Sequence, residues 1–257
     1  MSPNVQQIVD HVVALNNSGA HYSATGNSSG AFRAFRAALQ VTKRLKPFCD
    51  MKVQEKAPNT CVMLDQVMEP MHSNLSPNKQ GSWSQTRSAT YNYPIQLPTA
   101  MAMAEDYVSQ AFLTLSAVTV FNLALCHHQA AMEIGATKQG VASPDGASRT
   151  IYLRKAAKLY ESAFTLVTKA LGFLYGKCSF FLSATLNNMS LAFEELEETD
   201  LAKKGFQRLL TMLVHLEESN RAMNTPSNHG HKTTEMFFRT AMMYVVFPTC
   251  SFPAPAA

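Results

Sequence analysis

The chain has 257 residues, 46% of them hydrophobic, which suffices for the core of one large domain or a short repeat array and excludes a generally disordered protein. Its 22 basic and 18 acidic residues leave a net charge of +4, which does not by itself indicate a nucleic-acid partner. The 5 cysteines are odd in number and scattered, so we expect reduced thiols and no metal-binding pair.

The start of the chain and its longest apolar run bear on where the protein resides. Residues 1–4 do not begin a basic stretch followed by an apolar core, so no secretory signal or transit peptide is visible. The run from Ala111 to Cys126 contains polar residues and is shorter than the roughly 20 residues that a bilayer span needs. We therefore expect no transmembrane helix and a cytoplasmic location, with the nucleus as an alternative.

The first 46 residues show helical periodicity, and the residues that follow them do not. Val5 to Ala24 and Ser29 to Lys46 predict a first helix pair over residues 1–46. Residues 47–98 are rich in Pro, Ser, Met and Asn, which is typical of a long loop insertion. Within this insertion, Tyr91 to Leu97 is predicted to be extended and to lie against the helices as a short strand.

Helical periodicity resumes near Thr99 or Asp106 and is predicted to reach Glu133, before a surface insertion over 134–147. A helix capped at Ser148 or Thr150 follows and continues toward Leu174. Residues 99–223 are thus expected to form the second and third helix pairs. Residues 224–257 are expected to form a capping segment, with a helix over 234–246, and a loose tail.

A pattern of small and aromatic residues recurs three times on these predicted helices. The same interval separates Gly19 from Ala31 and Ser190 from Ala202, and the middle copy is interrupted by the insertion. Small residues let paired helices approach closely, and aromatic residues at helical spacing pack beside them. The residues expected to pack the repeats in this way are Gly19, Tyr22, Ala31, Phe35, Ala38, Ala124, Ala156, Tyr160, Ala163, Ser190, Phe193, Ala202 and Phe206.

This spacing resembles the tetratricopeptide repeat (TPR), a helix pair of about 34 residues. The resemblance implies an all-α fold, a right-handed α-α superhelix of about three helix pairs with a long loop insertion. The chain departs from the family pattern where Leu15, Val120 and Leu186 stand in place of Trp, and where Lys43 and Val214 stand in place of Pro. The alternative is a non-repetitive all-helical domain with Ala-rich packing.

Catalytic and metal-binding patterns were sought among the polar residues. His127 and His128 are adjacent, and adjacent helical side chains point about 100° apart, so they do not share one ion without further ligands. His127 falls in the aromatic slot of the repeat, which favours a packing role. No phosphate-binding glycine loop or nucleophile elbow is present. We therefore expect a non-enzyme with no catalytic residues, no metal and no cofactor.

Three asparagines, Asn17, Asn122 and Asn188, occupy the equivalent place in the three copies. In the family that the repeats resemble, this Asn often faces the concave groove and bonds the backbone of a bound peptide, which an amide can do because it both donates and accepts. The alternative is that these amides only join neighbouring helices. Other residues expected to share the groove surface are Phe121, Leu125, His128, Leu191 and Glu195.

The sequence thus predicts a cytoplasmic interaction scaffold that binds a protein partner, as a peptide or helix, in a concave groove. The alternative function is RNA binding through the basic helix over 33–46, since related helical repeats read bases. A lid or regulatory subunit of another enzyme is a third possibility. The cations of the basic helix are Arg33, Arg36, Lys43, Arg44 and Lys46.

Overall fold

The computed structural model describes residues 3–47, 91–98, 108–136, 146–171, 179–222 and 231–246. Over these ranges the only regular secondary structure is helical, which confirms the all-α class. The helices are α1 (Pro3–Ala24), α2 (Ser28–Thr42), a 3-10 turn (Lys43–Leu45), α3 (Val108–Ala136), α4 (Gly146–Leu171), α5 (Ser179–Glu195), α6 (Thr199–Ala222) and α7 (His231–Val246).

The helices pack in the order of the chain. Each one contacts the next, from α1 against α2 through to α6 against α7, and α1 also contacts α3 while α5 contacts α7. We call α1, α3 and α5 the inner helices, and α2, α4 and α6 the second helices of the three pairs. A single large apolar cluster includes residues of all seven helices and of the segment 91–98.

The turns inside the first and third pairs are built alike. Gly26 and Glu197 both adopt a positive φ, of 77° and 62°. In each turn the N–H of the following residue donates to a carbonyl in the last turn of the helix. Asn27 donates to the carbonyl of Tyr22 at 2.8 Å, and Glu198 donates to the carbonyl of Phe193 at 2.9 Å. The Asn27 side chain also accepts a hydrogen bond from the N–H of Gly30 at 2.9 Å and so caps the start of α2.

The element bounds differ from the predicted ones around the insertions. The helix α3 continues to Ala136 and α4 begins at Gly146, so both helices extend into the predicted insertion over 134–147. Residues 91–98 form no strand and bond to side chains instead. The predicted loop over 48–90, the helix start over 99–107, the end of the fourth helix beyond 171 and the tail beyond 246 lie outside the described residues.

The repeat-packing residues lie in the interior, apart from two aromatic ones. Phe193 is half-buried, and Tyr22 is 39% exposed. The prediction that Tyr22 packs on the buried side is therefore wrong. It lies in the last turn of α1, next to residues 24–27, which are all exposed, and its ring contacts that of His21.

Two glycines lie at tight contacts between paired helices. A Cβ atom on Gly19 would lie 2.6 Å from the ring of Phe35, and one on Gly205 would overlap the hydroxyl of Ser190. Ser190 is fully buried and donates to the carbonyl of Leu186 at 2.7 Å. The α1–α2 and α5–α6 pairs therefore each contain one position that a larger residue does not fit.

We expect Gly205→Ala to lower the free energy of unfolding by about 1–3 kcal/mol, because the added methyl group overpacks a filled contact. Adding Ser190→Ala removes the hydroxyl that the methyl group meets and should recover most of the loss. Gly146→Ala, where a Cβ would meet no atom within 4 Å, is the matched control and should be nearly neutral. Urea unfolding followed by circular dichroism measures all three, and an equal loss at Gly205 and Gly146 would contradict the packing argument.

The helix α3 corrects the expectation about the membrane. The stretch Ala111–Gly135 has 25 residues and is long and apolar enough to cross a bilayer. The prediction that the chain has no such helix is therefore wrong, and so is the cytoplasmic location that was drawn from it. The apolar run does not end at Cys126, because Ala130, Met132 and Ile134 continue it. In the structure 83% of its most apolar window is buried, and a core helix of this kind meets the same length and composition test.

The aromatic slot of the second pair contains His127. Its ring packs edge-on against Phe32 with centroids 4.7 Å apart and lies 5.6 Å from that of Tyr152. Burial, together with the charges of Lys155 and Arg36, lowers the pKa of His127 from 6.5 to about 4. The imidazole is therefore neutral at physiological pH and packs as an aromatic ring.

This shift predicts a loss of stability in mild acid. The unfolded chain takes up a proton on His127 as the pH falls below 6.5, whereas the folded chain does so only near pH 4, so the free energy of unfolding falls across that window. Solvent screening of the half-buried ring limits the effect to on the order of 1 kcal/mol. Urea midpoints at about pH 7.5 and about pH 5 measure it. The fall should be smaller in His127→Phe, and an equal fall in both proteins would contradict the assignment.

Candidate functional site

The segment 91–98 lies across the three inner helices and is bonded to them by asparagine side chains. Asn188 of α5 contacts Tyr91, Asn122 of α3 contacts Ile95, and Asn17 of α1 contacts Leu97. The segment therefore runs from the third helix pair to the first, against the order of the helices. The three asparagines that the repeat pattern made equivalent all face this one segment.

Each of these asparagines bonds both backbone groups of one residue. Asn188 accepts from the N–H of Tyr91 at 2.8 Å and donates to its carbonyl at 2.9 Å. Asn122 does the same with Ile95, at 2.7 Å for both bonds. Asn17 accepts from the N–H of Leu97 and donates to its carbonyl, also at 2.7 Å. A primary amide has one donor and one acceptor side, so this pairing recognises backbone whatever the side chain.

The same amides also join neighbouring helices, which is the other role that the sequence left open. Asn122 donates to the side-chain oxygen of Asn16 at 3.0 Å, linking α3 to α1. Asn16 in turn donates to the carbonyl of Ile95 at 2.9 Å. Asn188 donates to the hydroxyl of Tyr160 on α4 at 3.3 Å. The two roles therefore coexist in one hydrogen-bond network.

The side chains of the segment divide between the interior and solvent. Tyr91, Ile95 and Leu97 are 3%, 0% and 3% exposed, whereas Asn92, Tyr93 and Gln96 are exposed. The residues that bond the asparagines are thus also the residues that enter the core. The ring of Tyr91 lies within an aromatic cluster contributed by α3, α5 and α7, which contains Phe121, Phe180 and Phe237.

The other residues predicted for the groove have different surroundings. Phe121, Leu125 and Leu191 are buried. His128 and Glu195 face each other, with Nε2 of His128 3.2 Å from Oε1 of Glu195. The guanidinium of Arg149 donates to Oε2 of Glu195 at 2.6 Å. The contacts of Glu195 with His128 and Arg149 therefore join α3, α4 and α5 to one another.

Among the described residues, the side chains that bond or pack against the segment are uncharged. Burial is the main cause that raises the pKa of the Tyr91 and Tyr160 hydroxyls, so both remain neutral at physiological pH. The remaining contacts come from amide groups and apolar side chains. A surface of this kind suits the neutral backbone of an extended chain better than a phosphate or a carboxylate.

Several contacts of the segment were missed by the sequence analysis. Asn16 supplies a fourth amide, and Gln129 donates to the carbonyl of Asn92 at 3.3 Å and accepts from the Ser23 hydroxyl at 3.2 Å. Asn16 stands next to Asn17 in the first copy, as Asn187 stands next to Asn188, and this doubling was the available signal. Gln129 follows Asn122 by two helical turns on α3, so its spacing could also have indicated the groove.

The described residues contain no group of three or more His, Cys, Asp or Glu side chains that could bind a metal ion. The cations Arg33, Arg36, Lys43, Arg44 and Lys46 are all exposed on α2 and the turn after it.

No protein-family model matches the chain, and comparison with curated proteins and with solved structures gives no match either.

Proposed function

We propose that this chain is a non-catalytic interaction scaffold that binds an extended polypeptide segment in the groove of its inner helices. One observation carries the proposal. Three equivalent asparagines on three successive inner helices each bond both backbone groups of one residue in the segment 91–97. The protein thus contains a built site for extended backbone, at present occupied by its own chain.

The proposed architecture of the scaffold is the TPR-like right-handed superhelix. The packing of each helix against the next in sequence supports it. The matching turns at Gly26 and Glu197 support it as well, and so do the close contacts of Gly19 and Ser190 in equivalent places. A series of similar helix pairs exposes one side of its inner helices as a continuous groove.

The hydrogen bonds favour an extended ligand over a helical one. A residue inside an α-helix has already used its N–H and C=O within the helix, so an asparagine cannot bond both groups at once. In an extended segment the N–H and C=O of one residue point to the same side and are not bonded within the segment. Both groups are therefore available to one asparagine side chain. The groove therefore suits a peptide in an extended conformation.

RNA binding is the competing function, and it depends on the exposed cations of α2. These cations are exposed on α2 and the turn after it, where solvation accounts for them. A steep fall of RNA affinity with salt would favour this alternative. RNA binding stays a prediction, because the contacts described at the groove do not bear on it.

A peptide-display selection tests the proposed function. The bait is an open-groove variant, Ile95→Asp with Leu97→Asp, in which two charges that cannot be buried expel the chain's own segment. Its control adds Asn17→Ala, Asn122→Ala and Asn188→Ala, and circular dichroism verifies that both remain helical. We expect peptides to be enriched by the open-groove variant alone. If the folded open-groove variant enriches no peptide, or if both proteins enrich the same ones, the proposed function is wrong.

A further inference from the structure

The groove selects side chains at the same places where it bonds the backbone. Tyr91, Ile95 and Leu97 each have both backbone groups bonded and a buried side chain. The exposed residues between them, Asn92, Tyr93 and Gln96, enter no pocket. The site therefore contacts the side chains of the first, fifth and seventh residues of a segment, and most of the other side chains face solvent.

The surroundings of these three places differ in chemistry. The first place is lined by the rings of Phe121, Phe180 and Phe237, at centroid distances of 5.4–6.4 Å from Tyr91. Aromatic pairs at such distances add favourable edge contacts to simple burial. Ile95 and Leu97 belong to the large apolar cluster, so the fifth and seventh places take aliphatic side chains. A charged residue at any of the three would be buried without a partner.

We propose that the groove binds, in a partner protein, an extended uncharged segment with an aromatic residue first and aliphatic residues fifth and seventh, and that residues 91–97 are its intramolecular competitor. This rests on the proposed function and specifies its ligand. The observation behind it is the chain's own segment, which fills the site with this pattern.

The attachment of the segment to the same chain determines how the competition works. A ligand that belongs to the same chain binds intramolecularly, at an effective concentration that can reach the millimolar range. A free peptide of equal quality at micromolar concentration therefore displaces it poorly. Partner binding to the wild type should be weak until the segment is released, and weakening the segment should strengthen partner binding.

Fluorescence anisotropy with a labelled peptide of residues 90–98 tests both parts. The control peptide exchanges Ile95 and Gln96, which keeps the composition but places an amide in the fifth position. We expect the full-length open-groove variant to bind the native peptide at least about tenfold more tightly than the control peptide, which corresponds to about 1.4 kcal/mol. We also expect it to bind the native peptide at least about tenfold more tightly than the wild type does.

Each contrary outcome identifies what fails. Equal binding of the two peptides by the open-groove variant would overturn the recognition pattern and leave a groove that binds backbone, as the proposed function states. Equal binding of the native peptide by the wild type and the variant would overturn the competition. No binding of either peptide by the folded variant, combined with a failed display selection, would overturn the proposed function as well.

Native-state hydrogen exchange on the wild type gives a second test that needs no variant. If the segment leaves a folded groove, the amides of Ile95 and Leu97 exchange through an opening that costs less free energy than the opening of core amides such as Phe121 and Leu186. We expect this difference. If all these amides exchange with the same free energy, the segment leaves only when the protein unfolds. That result would overturn the proposal that residues 91–97 act as a competitor.

Discussion

Replacing Asn122 by Ala should lower the free energy of unfolding by about 2–6 kcal/mol, because two buried groups lose their partners at about 1–3 kcal/mol each. The N–H of Ile95 loses its acceptor, and the side-chain oxygen of Asn16 loses its donor. The carbonyl of Ile95 keeps its bond from Asn16. Asn122 and Ile95 are fully buried, so water does not replace the lost amide without opening the site. Urea unfolding followed by circular dichroism measures the change.

Asn17→Ala is the matched control for this prediction. Asn17 makes the same pair of backbone bonds, to Leu97, but it is only half-buried, so water can take the place of its amide. Its loss should cost about 1–3 kcal/mol, at the usual net value of about 0.5–1.5 kcal/mol per bond. A cost at Asn122 no larger than that at Asn17 would show that burial does not govern the strength of this network.

The helices and the asparagine positions could be predicted because they depend on local spacing. A helix over Val5 to Ala24 was predicted, and α1 extends over Pro3–Ala24. The periodic apolar residues and the caps that define such a helix lie within a few turns of one another. The equivalence of Asn17, Asn122 and Asn188 followed from comparing copies of the same spacing, so it too required no knowledge of distant contacts.

The occupant of the groove could not be predicted in the same way. The bonds between Asn17 and Leu97 join residues 80 positions apart, and those between Asn188 and Tyr91 join residues 97 positions apart. Local periodicity contains no signal for such pairs, so the segment was expected only to lie against the helices as a short strand, and its bonds to the asparagines were not predicted. The contacts of Glu195 with His128 and with Arg149 also join three different helices, so local spacing did not indicate them either.

Replacing Tyr91 by Ala should lower the free energy of unfolding by about 3–5 kcal/mol, the usual cost of deleting a buried aromatic ring. The ring is 3% exposed and contacts aromatic residues from three helices. Its hydroxyl has no hydrogen-bond partner among the described residues. Tyr91→Phe keeps the ring and removes a buried unsatisfied group, so it should be neutral or slightly stabilising. A large loss in Tyr91→Phe would show that the hydroxyl matters more than the ring.

The cost of Tyr91→Ala also reports on how the segment is attached. If residues 91–97 can leave a folded groove, no substitution within them costs more than the free energy of docking the segment. Tyr91→Ala and Ile95→Ala should then be strongly non-additive, because the first already releases most of the contacts that the second removes. If the segment is instead a permanent part of the core, the two losses should add to within about 0.5 kcal/mol. Urea unfolding of both single variants and the double variant separates a releasable internal ligand from a fixed element of the fold.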